Sequence, residues 1–214
     1  MPNAAPTDGA ALPAPRIACI VMAAGRSRRF GRSRVNKLLA PLRGRSVVAQ
    51  VLTRVMRAPA RPLIVVTGHQ RGPVQRELSS VRGRRYQFRF NPRYRRGMAS
   101  SLQAGIRALP ASIDGAVICL GDMPGVRTRT IKALIAAYRQ GDDAVIPRVG
   151  DRRGNPVLLG RALLDRAAEL AGDQGARRLL AGSSRVRLVD ADDSVLLDID
   201  TRRDWRRQRQ RKSR

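Results

Sequence analysis

The sequence predicts an α/β fold, with a mostly parallel central sheet covered by helices on both faces. Three observations predict it. Apolar, partly β-branched runs recur at residues 17–22, 63–68, 115–120 and 144–147, and runs apolar throughout suit strands buried on both faces. Stretches with apolar residues at helical spacing lie between them, so strand and helix alternate along the chain. Each run stops abruptly in glycine, proline or polar residues, as strands do when they deliver loops to one edge of a sheet. The implied layout is Rossmann-like and three-layered, with its ligand crevice outside the carboxyl ends of the strands.

The first strand, residues 17–22, leads into a loop of small and basic residues. Val47, Val48, Val51, Leu52, Val55 and Met56 then place an amphipathic helix at 46–57, ended by Pro59 and Pro62. The second strand at 63–68 is followed by a short helix around 74–80. Alternation in Tyr86-Gln87-Phe88-Arg89-Phe90 predicts a third strand, stopping at Asn91-Pro92. A helix opens near Gly97 and runs to about Leu109, before a fourth strand at 115–120, a helix at 129–139 and a fifth strand at 144–147. Turns dominate the second half. A short strand is expected at 157–159, helices around 161–171 and 174–181, and strands near 186–189 and 195–199. The loops after Met22, Asn91, Leu120 and Ile146 should converge on one crevice.

The 214 residues suffice for a substantial core, which must be built from Val, Ile, Leu and Ala because aromatics are few. Cys19 and Cys119 lie in apolar runs and read as reduced core residues, which together with the lack of a signal-peptide pattern points to the cytoplasm. Residues 1–15 are expected to be a disordered tail, 16–205 one folded domain, and 206–214 a disordered basic tail. No apolar run approaches the length of a membrane span. The formal charge is +27, and residues 1–110 carry 22 Lys/Arg against only Asp8 and Glu77. Such a field attracts nucleotides, and nucleic acid non-specifically.

The loop after the first strand reads Ala23-Ala24-Gly25-Arg26-Ser27-Arg28-Arg29-Phe30-Gly31 and runs on to Lys37. Glycines that tolerate positive φ, here Gly25 and Gly31, let backbone amides approach an anion, while Arg26, Arg28, Arg29 and Lys37 offer donors suited to phosphate. Neither Gly-x-x-x-x-Gly-Lys-Ser/Thr nor Gly-x-Gly-x-x-Gly is present. Only Lys37, Lys132 and Lys212 among 43 basic residues are lysine. Asp122, in Gly-Asp-Met-Pro at the end of a buried strand, is placed to hold magnesium, a hard cation that takes carboxylate and phosphate oxygens. Ser100 and Ser101 open a helix whose amides and hydroxyls suit contacts to base, ribose or phosphate, although Ser100 could equally be a plain N-cap. His69 is the one histidine and has no cysteine or histidine partner at ligand spacing, which argues against zinc.

The loop resembles the Leu-Ala-Ala-Gly-x-Ser-x-Arg-x-Gly…Lys signature of the MobA-like nucleotidyltransferases, most closely the molybdenum cofactor cytidylyltransferases. The resemblance extends over about residues 16–205 and implies their nucleotidyltransferase fold. It assigns nucleotide contacts to Ala23, Ala24, Gly25, Arg26, Ser27, Arg29, Lys37, Ser100, Ser101 and Asp122, with Arg29, Lys37 and Asp122 catalytic. Asp198-Ile199-Asp200-Thr201 resembles the family's Asp-Ile-Asp-Thr segment and implies Asp200 as a second magnesium ligand, with Asp198 in reserve on the same strand face. Without metal, Asp122 and Asp200 are expected to repel. Arg202 and Arg203 stand where the family has Pro-Glu, and Ala99 replaces a serine of its Gly-Met-Ser-Ser-Ser-Leu. Asn155, Pro156, Asp173 and Arg177 match segments that in the family face the pterin phosphate substrate.

The resemblance implies transfer of CMP from CTP to the phosphate of molybdopterin, with release of pyrophosphate, Mg2+ as cofactor and a molybdenum hydroxylase as possible client. Three other readings stand beside it. GTP could be the donor, although Ala23-Ala24-Gly25 resembles the cytidylyl branch; the acceptor could be a sugar or alcohol phosphate; or the chain could be a non-catalytic basic protein that binds nucleic acid or assists molybdoenzyme maturation.

Overall fold

The computed structural model describes residues 14–31, 36–83 and 85–210, without the side chains of Ala168 and Arg177. The chain runs β1 (Ile17–Ala23), β2 (Pro41–Leu42), β3 (Arg45–Ser46), α1 (Val47–Met56), β4 (Leu63–Thr67), α2 (Arg71–Ser79), β5 (Gln87–Phe90) and α3 (Met98–Ile106). It continues through β6 (Gly115–Leu120), α4 (Thr128–Ala137), β7 (Ala144–Val149), β8 (Arg152–Arg153), β9 (Val157–Gly160), α5 (Arg161–Asp165), α6 (Ala176–Leu179), β10 (Val186–Asp190) and α7 (Arg202–Gln210). The expected N-terminal tail falls almost wholly outside the described residues. Among the described residues no helix is long and apolar enough to cross a membrane.

The main sheet has the order β10-β7-β9-β6-β1-β4-β5, with β8 paired to β7. β1 pairs in parallel with β4 and β6, β4 with β5, and β7 with β10, while β9 runs antiparallel between β6 and β7. The mostly parallel α/β sheet is therefore present. β1 sits at the point where strand order reverses, since the chain goes outward from it through β4 and β5 and then returns to its other side with β6. Crevices at such points hold ligands.

Side chains of β1 alternate between two cores. Cys19, Val21 and Ala23 pack with α1, α2 and α4, while Ala18 and Ile20 pack with α3 and α5. The α1 stripe read from the sequence is buried along its length, and Ser46 caps the helix by accepting from the Ala49 N–H at 3.2 Å. Cys19 and Cys119 are free buried thiols with sulfurs 3.7 Å apart. A small third cluster joins Phe30, Ala40, Leu42, Val47 and Ile199 to Trp205.

Three expectations fail in the second half. Residues 195–199 are not a strand: Asp192 caps a 3-10 turn at Asp193–Leu196, and the backbone bonds crosswise instead of laddering. The Asn155 N–H donates to the Val195 carbonyl at 2.8 Å and the Ile199 N–H to the Asp122 carbonyl at 2.9 Å. The two helices around 161–181 shrink to α5, a 3-10 turn at Arg166–Glu169, and α6. Finally, residues 206–210 are helical within α7 and not part of a disordered tail.

Candidate functional site

The site forms where β1 and β6 end side by side, tied by the Gly121 N–H donating to the Met22 carbonyl at 3.0 Å. A Cβ at Gly121 would stand 2.7 Å from that carbonyl oxygen. Glycine alone lets the two chain ends pass so closely, and it puts Asp122 beside the loop leaving β1.

That loop leaves the core at buried Ala23 and Ala24 and surfaces at Gly25 and Arg26. Gly31 is left-handed as expected (φ 149°), but the second such residue is Ser27 (φ 55°) rather than Gly25. Among the described residues a Cβ at Gly25 would touch nothing within 4 Å, so glycine here leaves an open approach to the backbone instead of relieving a clash. Ser27 pins the loop: its hydroxyl donates to Asn36 Oδ1 at 3.1 Å and accepts from the Lys37 N–H at 3.1 Å. Asn36 in turn caps the 3-10 turn Lys37–Leu39, accepting from the Leu38 N–H at 3.0 Å.

So held, Lys37 points at the carboxylates. Its Nζ lies 2.6 Å from Asp122 Oδ2 and 2.7 Å from Asp200 Oδ1, and an Arg29 guanidinium nitrogen lies 2.9 Å from Asp200 Oδ2. The Lys37 side chain is 11% exposed and that of Arg29 76%, so the lysine pairs are screened little and the arginine pair contributes little. Burial is the largest single influence on Lys37 and pulls its pKa down, but Asp122 and Asp200 together outweigh it and raise the pKa above the ordinary lysine value. The expected repulsion between Asp122 and Asp200 is therefore replaced by a shared ammonium.

Asp122, Asp198 and Asp200 each bring an oxygen to within 4.8 Å of the others. Burial first, then the charges of Asp200 and Asp122, raise the Asp198 pKa. Asp122 Oδ1 is buried and has no hydrogen-bond partner among the described residues. Three hard carboxylates, one with an unsatisfied buried oxygen, suit a divalent cation. Asp198 and Asp200 do come together, although not by strand alternation as expected.

One group escaped the sequence reading. The Asn36 Nδ2 is buried without a partner among the described residues and sits next to Lys37, a spare donor for an anion. Its capping position is legible in sequence, but the surroundings of its amide are not.

The remaining expected site residues fall in two places. Ser100 and Ser101 both accept from Asn91 Nδ2 at 2.9 Å, and the single Ser100 hydroxyl hydrogen has the Arg93 and Gly97 carbonyls in reach at 2.9 Å; Gly97 is the N-cap, so Ser100 is not, and Ser101 is buried. Against this helix start packs the turn carrying Asp173, for the Ala99 N–H donates to the Gly172 carbonyl at 3.1 Å. A Cβ at Gly97 would stand 2.2 Å from that carbonyl oxygen and 2.7 Å from Asp173 Oδ1. The Arg177 side chain lies outside what the structure describes. Asn155 and Pro156 join the carboxylate side instead, through the Asn155–Val195 backbone bond. His69 follows β4, its backbone N–H donates to the Ala24 carbonyl, and its imidazole pKa is lowered by burial first and then by Arg26 and Arg95.

Comparisons with known proteins place the fold in a family. Bifunctional protein GlmU of Mycolicibacterium vanbaalenii is 32% identical over 150 residues, 68% of this chain and 30% of GlmU. The chain thus spans about 30% of the length of these GlmU relatives. Nicotine blue oxidoreductase of Paenarthrobacter nicotinovorans is 29% identical over 197 residues, 87% of this chain and 93% of its own. Among solved structures, Rv0371c of Mycobacterium tuberculosis H37Rv matches with a TM-score of 0.80 and 29% identity, covering 92% of this chain and 100% of that one. A second structure of Rv0371c is a complex with manganese, at TM-score 0.75, 28% identity, and coverage of 91% and 98%. A nucleotidyl transferase from Methanothermobacter matches at TM-score 0.78 and 28% identity, covering 91% and 96%. Residues 19–190 match the model of the MobA-like NTP transferase domain, and the chain belongs to that family.

Proposed function

We propose that the chain is a nucleotidyltransferase that moves CMP from CTP to a phosphate-bearing acceptor, molybdopterin above others, and releases pyrophosphate. One observation carries the reading: a buried lysine and three carboxylates meet at the switch point of the sheet, beside a glycine loop open to an anion. Asp122 and Asp200, with Asp198 beside them, are the residues that would hold Mg2+, whose role is to neutralise charge on the phosphates. The chain's own groups do the positioning. The Gly25 backbone, Asn36 Nδ2 and Lys37 Nζ bind phosphate oxygens, and Arg29 stabilises the charge that develops on the leaving pyrophosphate. The acceptor phosphate attacks the α-phosphorus directly, so no covalent enzyme intermediate is needed. On the acceptor side we place Asn155, Pro156, Asp173 and Arg177. The Ala23-Ala24-Gly25 sequence supports CTP over GTP.

A second reading is an oxidoreductase, favoured by the nicotine blue oxidoreductase relative that matches almost end to end. A thermal-shift panel separates the two. CTP with Mg2+ at about 100 times its dissociation constant adds about 2.7 kcal/mol to the native state and raises the melting temperature above that with GTP, ATP or UTP. Stronger protection by GTP moves the donor assignment, and protection by NADPH but by no nucleoside triphosphate overturns nucleotidyl transfer.

A further inference from the structure

We infer that Lys37 is the resident counter-ion of the carboxylates, and that its ammonium and a divalent cation exclude one another from Asp122 and Asp200. The free protein then holds a metal weakly until an anion draws Lys37 away. This rests on the nucleotidyl-transfer reading of the same site.

Asp122 and Asp200 offer four oxygens between them. Lys37 Nζ occupies Asp122 Oδ2 and Asp200 Oδ1, and Arg29 occupies Asp200 Oδ2. Asp122 Oδ1 is the one left without a partner among the described residues. A cation bridging Asp122 and Asp200 at normal metal–oxygen distances can take Asp122 Oδ1, but on Asp200 it must share an oxygen with the Lys37 ammonium at 2.7 Å or the Arg29 guanidinium at 2.9 Å. With side chains only 11% and 19% exposed for Lys37 and Asp122, water does little to soften that like-charge contact. A metal bridging Asp122 and Asp200 therefore competes with the Lys37 ammonium for the same pair of carboxylates.

Lys37 can also leave. Its backbone is fixed by the Ser27 bond and the 3-10 turn, but the ammonium sits at the end of a flexible four-carbon stem. Asn36 Nδ2, without a partner among the described residues, and the Gly25 backbone, open among them, mark where an anion would meet it. An anion bound there takes the ammonium and frees the carboxylate oxygens, so anion and metal binding are positively coupled. The device also suppresses metal loading without nucleotide, and it makes Lys37 a residue with two alternative partners rather than a fixed ion pair.

The test measures Mn2+ binding to the full chain by the electron paramagnetic resonance signal of free Mn2+, without nucleotide. Lys37→Met should bind Mn2+ about 10-fold or more tightly than the wild type, within the usual range of site coupling. Arg26→Gln is the control. It removes one charge from the same loop, and Arg26 has no ion pair to these carboxylates among the described residues. Lys37→Gln repeats the measurement if the methionine variant does not give a folded melt. Equal affinity in wild type and Lys37 variants, or an equal gain in Arg26→Gln, overturns the counter-ion role while leaving the metal site standing. No Mn2+ binding by any form, even with CTP added, overturns the metal reading itself.

Discussion

At the scale of single residues, Ser27, Asn36, Lys37 and Asp122 form one linked device. Ser27 fixes the backbone of Lys37, Asn36 starts its 3-10 turn, and the lysine then bridges two carboxylates. This reverses the expectation for Asp122→Asn. From sequence, the substitution should relieve repulsion; in the structure it deprives a nearly buried ammonium of one of its two anions. We expect the melting free energy to fall by about 1–3 kcal/mol, the cost of losing a charged hydrogen bond, with Asp200 still in place. Transfer activity should fall by orders of magnitude, because charge neutralisation at the phosphates commonly supplies several kcal/mol. The stability loss has a sign in pH as well. The Lys37 pKa is raised, so the pair contributes fully at neutral pH and is lost as pH rises through that raised value. The gap between wild-type and variant melts should therefore close on the alkaline side. An unchanged or higher melting temperature for Asp122→Asn at neutral pH would mean Lys37 does not depend on this carboxylate.

At the scale of elements, what the sequence revealed and what it hid have physical reasons. The parallel strands are apolar on both faces and the α1 stripe has clean helical spacing, so local pattern and tertiary burial agree. Asp122 and Lys37 were legible because each follows or continues a strand-end motif. Their meeting with Asp200 was not, since Lys37 and Asp200 are 163 positions apart. Val195, Leu197 and Ile199 alternate like a strand, but a capped turn and crosswise backbone bonds claim that segment. The arginine-rich end reads as disordered, yet it carries a Thr-x-x-Asp capping box. The Thr201 N–H and hydroxyl donate to Asp204 Oδ2 at 2.8 and 2.7 Å, and the Asp204 N–H donates back to Thr201 Oγ1 at 3.2 Å. Trp205 then docks α7 on the β2–β3 hairpin, its indole N–H donating to the Pro41 carbonyl at 3.0 Å. Thr201→Ala should cost about 1 kcal/mol of cap energy, or about 2–4 °C in melting temperature for a domain of this size. Trp205 is the single tryptophan, so undocking should appear as a red shift of its emission. The Thr201 hydroxyl, as the largest influence, lowers the Asp204 pKa, so the cap acts above the ordinary carboxylate range and is lost as pH falls through the lowered value. An emission maximum indifferent to both the substitution and acid would sink the capping account.

For the whole molecule, positive charge dominates. The formal charge is +27, and 22 of the 43 basic residues precede residue 111, in the half that carries the glycine loop, where only Asp8 and Glu77 oppose them. The three carboxylates of the site lie against that half, with Lys37 between two of them and Arg29 on Asp200. A negative ligand therefore meets an attractive field over the whole approach and local acidity only at the end. Such a field acts on encounter more than on the bound state, because contacts within the crevice are short and screened little, whereas the approach spans many ångströms of electrolyte. The consequence separates two rate constants. Stopped-flow binding of a fluorescent CTP analogue should show association slowing several-fold between about 20 and about 200 mM salt, as the Debye length shrinks from roughly 20 Å to roughly 7 Å. Dissociation should change much less. Unspecific RNA should compete at the low-salt end and lose its effect at the high-salt end, since its binding rests on released counterions rather than on the carboxylate site. If association is insensitive to salt, the arginine excess is a solvated surface with no part in capture. If RNA competes equally at both salt concentrations, it occupies the crevice itself, and the basic half is built for a polymer rather than for a nucleotide.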